Sequence, residues 1–208
     1  MATADVSRTR DLQRGIYLER LTVAWNIFEA IVAVASGVVA RSVALMAFGI
    51  DSLIETSSGG ILLWRLRAEH RGANPEKLER KALKLVGLSF LLLAAYIAFD
   101  SIHSLVEREQ PAPSLWGIAV AMLSLLVMPW LAHHKRKTAG RLRSPALQAD
   151  SRQSSLCAYL SAILLGGLLL NATMGWWWAD PIAALVMVPI IAREGLQALA
   201  GKTCDDCH

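Results

Sequence analysis

Charged side chains are nearly absent from six long stretches of this 208-residue chain. The stretches are Leu21–Ala40, Val43–Trp64, Leu83–Ser104, Leu115–Ala132, Ala146–Leu170 and Pro181–Ala200. A bilayer span takes about 20 mostly apolar residues, and with no water in lipid to satisfy the backbone such segments must be helical. No strand pattern and no soluble domain remain once they are assigned, which excludes a soluble enzyme. The predicted fold is an all-α membrane protein, a six-transmembrane-helix bundle. Cysteine is scarce at three residues. Cys157 falls inside a span, and Cys204 and Cys207 lie in a tail expected in the cytosol, so no structural disulfide is expected. No cleavable leader is expected either, because residues 1–20 are polar, carry Arg8, Arg10, Arg14 and Arg20, and hold no apolar run.

The charge that is present is placed unevenly. Arg65, Arg67, Arg71, Lys77, Arg80, Lys81 and Lys84 cluster after the second span, and Lys135, Arg136, Lys137, Arg141 and Arg143 after the fourth. The opposite connections hold only Arg41 and Arg108. Lys and Arg accumulate in short cytoplasmic loops, so both termini are expected in the cytoplasm. The same rule accounts for the basic loops without nucleic acid as a partner. The expected organisation is a cytoplasmic arm at 1–20, a transmembrane domain at 21–200 and a short cytoplasmic Cys/His tail at 201–208, in a multi-pass protein of the cell membrane.

Punctuation agrees with this division. Arg71-Gly72-Ala73-Asn74-Pro75 reads as a turn, and Gln110-Pro111-Ala112-Pro113 separates the third and fourth spans. Asp180-Pro181 reads as the N-cap and first residue of the sixth helix. Trp176-Trp177-Trp178 suits a membrane–water interface. Ser36-Gly37, Ser57-Ser58-Gly59-Gly60 and Gly166-Gly167 suit close helix packing.

Ionisable residues inside a span are costly and by default mark a pathway or a binding site. The second span has Asp51 and Glu55 and the fifth has Gln153 and Cys157, each pair four apart and therefore on one helix face. The first has Asn26 and Glu29, and the third Asp100 and His103. At about 1.5 Å per residue, Glu55 lies roughly 15 Å and Asp51 roughly 21 Å from the charged edge at Arg65. Gln153 and Cys157 fall at the same two depths counted from Arg143, and Glu29 comes to roughly 14 Å from Arg20. If the second and fifth helices face each other, these side chains converge near the bilayer centre.

Two carboxylates and a thiolate suit a divalent, borderline-soft cation such as Zn²⁺. Helix–helix hydrogen bonding is the alternative. It is weak for Asp51 and Glu55, whose like charges repel unless a cation is shared, and it stays open for Glu29. Cys157 equally suits a small core position, and the Gln153 amide suits an orienting role. Asp100 and His103 read either as part of a path or as an interfacial pair. His70, His133 and His134 read as a solvated loop face. Cys204-Asp205-Asp206-Cys207-His208 has the spacing of a small metal clip and of c-type haem attachment, though a cytosolic tail argues against haem.

Three segments resemble the cation diffusion facilitator, or cation efflux, family of divalent metal exporters. They are Ser42–Glu55 (SVALMAFGIDSLIE), Ser144–Asp150 (SPALQAD), and Trp178–Leu185 (WADPIAAL) running on to Arg193-Glu194-Gly195. In that family an acidic pair, or His and Asp, four apart on the second span meets His and Asp four apart on the fifth. Carried over, these positions are Asp51, Glu55, Gln153 and Cys157. Gln stands where His is usual and Cys where Asp is usual, and the Cys favours softer ions such as Zn²⁺, Cd²⁺ or Cu⁺. The resemblance implies a short form without the family's C-terminal cytoplasmic domain, and a homodimer. It implies a secondary transporter exporting Zn²⁺, or Cd²⁺ or another soft ion, from the cytosol in exchange for protons, with no permanently bound cofactor. Asp51 and Glu55 would bind the ion, Cys157 would be the third ligand, and Gln153 and Glu29 would support them. Glu55 or Glu29 would carry the proton. The replaced fifth-span pair also admits a non-transporting metal sensor or partner subunit with the same fold.

Overall fold

The computed structural model describes residues 2–70, 76–108, 111–142 and 144–200. The described residues form six helices and no strand: α1 (Ala2–Ala40), α2 (Val43–His70), α3 (Glu76–Glu107), α4 (Leu115–Leu142), α5 (Pro145–Met174) and α6 (Ala179–Leu199). The arm expected at 1–20 is instead the first part of α1. Its Arg residues leave one apolar face, on which Leu12 is buried with Leu62, Leu66, Ala139, Leu142 and Leu147, and Ile16 packs against them. That satellite core lets α1 run on past the expected span.

Helix α1 packs along α2 and α4, α4 along α5, and α2 meets α5, which closes a ring of four helices. Helices α3 and α6 pack on each other and lean on α2 and α5. Small residues set these contacts, as expected where helices associate by close packing. A Cβ on Gly49 would lie 2.9 Å from the Val34 backbone nitrogen. A Cβ on Gly87 would lie 2.8 Å from the Gly195 carbonyl oxygen, and one on Gly195 3.0 Å from that of Gly87. The α3–α6 crossing is therefore backbone on backbone.

The outer surface is apolar. Phe99 and Leu126 are 71% and 72% exposed, and Ile31, Val39, Leu92 and Trp116 face outward with them. Such a surface needs lipid. Arg8–Ala40, Phe90–Glu107, Leu115–Leu142 and Asp150–Met174 are long and apolar enough to cross a membrane. Helix α2 is not among these four, being diluted by Asp51, Glu55 and the Thr56–Gly60 run, and α6 is not, carrying Asp180, Arg193 and Glu194.

The two ends of the bundle differ. At the far end, where α1 meets α2 and α5 meets α6, the connections are laced together. Ala112 N donates to Ala40 O at 2.7 Å, and Asn171 Nδ2 to Pro111 O at 2.8 Å. Asp180 departs from its expected role: α6 starts one residue earlier, and the carboxylate serves α2 instead. It accepts from Ser42 Oγ at 2.5 Å and from Ala44 N at 3.2 Å. The reason is electrostatic, since the first amides of α2 lack intrahelical acceptors and favour an anion. Trp176 and Trp178 stack at this end with ring centroids 5.0 Å apart. Helix α5 starts at the opposite, basic end under Ser144, whose Oγ accepts from Leu147 N at 3.4 Å, and it stops at Gly175 with φ 66°. Gly195→Val forces the α3–α6 backbones apart, an overpacking cost of about 1–3 kcal/mol. Its melting temperature in detergent is expected to fall well below wild type, while Gly166→Ala, in open space, melts as wild type does.

Candidate functional site

The interior of the four-helix ring carries a buried polar column. Glu19, Thr22, Asn26 and Glu29 recur at spacings of three and four along one face of α1 and are all fully buried. Ser52 and Glu55 of α2, Ser124 and Lys135 of α4, and Asp150, Ser154 and Cys157 of α5 face them, also buried.

Glu29 is the best-satisfied acid of the column. Its Oε1 accepts from Ser52 Oγ at 2.6 Å and from Cys157 Sγ at 3.5 Å, and its Oε2 accepts from Trp25 Nε1 at 2.6 Å. Glu55 accepts from Ser154 Oγ at 3.0 Å through Oε1, while its Oε2 has no hydrogen-bond partner. Glu29, Glu55 and Cys157 thus share the ring interior, with serines between them.

Asp51 and Gln153 lie on the other side of the α2–α5 seam. They line a small cavity of about 10 Å³ with Phe90 of α3, Leu156 and Leu160 of α5, and Ile190, Ile191 and Glu194 of α6. That is room for about one water. Gln153 Oε1 accepts from Ser58 Oγ at 3.2 Å, and its Nε2 has no partner. Residues four apart differ by roughly 40° around a helix. At the crowded α2–α5 contact that rotation sends Glu55 into the ring and Asp51 toward α6. The convergence expected of the five residues is therefore divided into two adjoining groups. Among the described residues, no three His, Cys, Asp or Glu side chains stand close enough to hold a metal ion.

Asp100 belongs to neither group and accepts from Tyr96 Oη at 3.4 Å on the exposed side of α3, where His103 is exposed as well. His133 is exposed, but on α4 and not in a loop. The Cys204–His208 tail lies outside the described residues.

Sequence reasoning passed over a second set of groups. Lys135, counted there with a basic loop, is fully buried; its ammonium pairs with Asp150 and stands 3.1 Å from Glu19 Oε2. Glu194, lining the cavity beside Asp51, was also passed over as a site residue. A usable signal existed. The three-and-four spacing of Glu19, Thr22, Asn26 and Glu29, and of Ser124, Met128, Leu131 and Lys135, continues one face past the expected membrane edge.

Cys157 is only 1% exposed. With Cys204 and Cys207 replaced by Ser, the native protein is expected to react with a water-soluble thiol reagent at least about a hundredfold more slowly than in denaturant. A rate ratio near one contradicts a closed interior.

Comparison with known proteins bears on the whole of this region. The cation efflux transmembrane domain matches residues 20–200. The chain is 25% identical over 188 residues to Transmembrane protein 163 of Xenopus laevis, covering 90% of this chain and 66% of that one. It is 22% identical over 183 residues to the magnetosome protein MamB of Paramagnetospirillum magneticum, covering 85% and 60%. It is 24% identical over 147 residues to the cation-efflux pump FieF of Shewanella oneidensis, covering 67% and 48%. The chain spans between about half and two thirds of the length of these relatives. With its apolar helices and a domain match running from the middle of α1 to the end of α6, the chain is a multi-pass membrane protein that belongs to the cation efflux family.

Proposed function

We propose that this chain moves a divalent transition-metal cation across the membrane, Zn²⁺ above all, outward from the cytosol in exchange for protons. The observation that carries the reading is the burial of Glu29, Glu55 and Cys157 in one ring interior, one seam away from Asp51 and Gln153. Acids at such depth are costly and mark an ion path. A thiol among carboxylates favours a borderline-soft ion over Mg²⁺ or Ca²⁺. The name of one relative, a cation-efflux pump, points the same way.

In this reading Asp51 and Glu55 bind the ion, Cys157 supplies the third ligand, and Gln153 and Glu29 support them. Small side-chain rotations across the α2–α5 seam bring the two groups onto one ion. Glu55 or Glu29 takes up a proton as the ion leaves, so that the column never holds uncompensated charge. Alternating access comes from rocking of helix groups around a mid-membrane site. The basic end faces the cytosol by the positive-inside rule, and two copies form a homodimer through the apolar outer surface.

The test is ion uptake into proteoliposomes under an imposed pH gradient, with Zn²⁺, Cd²⁺, Co²⁺, Ni²⁺ and Mn²⁺ offered in turn. Saturable Zn²⁺ or Cd²⁺ flux is expected, falling at least about tenfold to a hundredfold in Asp51→Ala and in Glu55→Ala. No flux of any ion, from protein shown to be folded and inserted, turns the reading to a metal sensor or a partner subunit.

A further inference from the structure

The ion trio at the basic end of the column has no part in the ligand chemistry above. Lys135 reaches from α4 into the ring, pairs with Asp150 of α5, stands 3.1 Å from Glu19 Oε2 of α1, and donates to Ser154 Oγ at 3.4 Å. Lys135 and Glu19 are 0% exposed and Asp150 is 5% exposed. Glu19 Oε1 also rests on Gly59 of α2, where a Cβ would come within 2.5 Å of it. One ammonium therefore ties α1, α4 and α5 at a single level, where the Glu19 carboxylate also rests on α2.

Two carboxylates face one ammonium, and Glu55, joined to the trio through Ser154, is near enough to feel the same positive charge. Glu19 Oε1, Asp150 Oδ1 and Glu55 Oε2 are buried and have no hydrogen-bond partner. These oxygens have acceptor capacity that the single lysine leaves unused. Asp150, Ser154 and Cys157 follow one another along one face of α5. Any path through the ring from the basic end to Glu55 or Cys157 passes the level of Lys135.

We propose that Lys135 is a positioning residue of the transport cycle, a tethered cation that seals the basic end of the column by holding Glu19 and Asp150 together. A divalent ion entering from that end must displace the ammonium from these carboxylates. This rests on the transport reading. Without the ammonium, two carboxylates repel across α1 and α5, and water reaches the column. A divalent ion replaces the ammonium with twice the charge, which is why the seal opens to the cargo.

The test uses the 208-residue chain with Cys204→Ser and Cys207→Ser, which leaves Cys157 as its single thiol. Labelling by a water-soluble methanethiosulfonate is timed in this parent, in Lys135→Met, in Lys135→Arg, and in the neutral triple variant Glu19→Gln, Lys135→Met, Asp150→Asn. The triple variant removes the tie without stranding a buried charge. Labelling about tenfold or more faster is expected in Lys135→Met and in the triple variant, with Lys135→Arg close to the parent. Parent-like labelling of a monodisperse triple variant overturns the proposal, as does Lys135→Arg labelling as fast as Lys135→Met. If Lys135→Met does not fold, the triple variant decides. In the flux assay, Lys135→Met is expected to lower both the KM for Zn²⁺, by about tenfold, and the maximal rate; an unchanged KM overturns displacement. Absence of flux in the parent counts against the transport reading alone, because the labelling needs no ion.

Discussion

A charge held away from water must be matched locally, and the interior of this ring is organised by that requirement. Breaking one partner of a buried pair costs about 3–5 kcal/mol, a large share of the stability of a domain. The column meets the requirement differently at its two levels. Midway along the column, Glu29 is wrapped by Ser52, Trp25 and Cys157. Toward the basic end, Glu19 and Asp150 are matched by Lys135. Glu55 sits between, with one oxygen bonded to Ser154 and the other open. Glu55 thus stands between a hydrogen-bonded station and an ionic one, and it shares its spare acceptor capacity with Glu19 and Asp150.

Much of the architecture was legible in the sequence, because lipid leaves few options. Uncharged runs of span length had to be helices, and the break between α1 and α2 falls where the runs end. The depth count paired Glu55 with Gln153 and Asp51 with Cys157, whereas Cys157 shares the ring interior with Glu29 and Glu55, and Gln153 lies with Asp51. What the count lacked was azimuth. Asp51 and Glu55 are neighbours along α2, yet the α2–α5 contact parts them, and only the packing of α6 against α5 gives Asp51 and Gln153 a cavity to line. Lys135 was misplaced for a related reason. Linear hydropathy ended the fourth span at Ala132, whereas α4 runs to Leu142 and turns Lys135 inward.

Glycine decides how closely these helices lie, and so how much of the column stays dry. Gly59 makes room for the Glu19 carboxylate, and Gly49 lets α2 touch the backbone of α1. At Gly87 and Gly195 the α3–α6 pair becomes one unit whose partners slide only together. The cavity beside Asp51 lies where this pair packs on α2 and α5.

Asp180 ties the start of α6 to the start of α2 through Ser42 and Ala44. A 21-residue helix is about 31 Å long. Pinned at that end and held to α3 at Gly195, it can tilt only together with α3, about a fulcrum at the far face. A tilt of about 10° leaves Asp180 in place and carries the Leu199 end through roughly 5 Å, given the rise per residue. Glu194, close to the moving tip, then travels several times farther than any residue at the pin, and the cavity it shares with Asp51 widens from the basic side first.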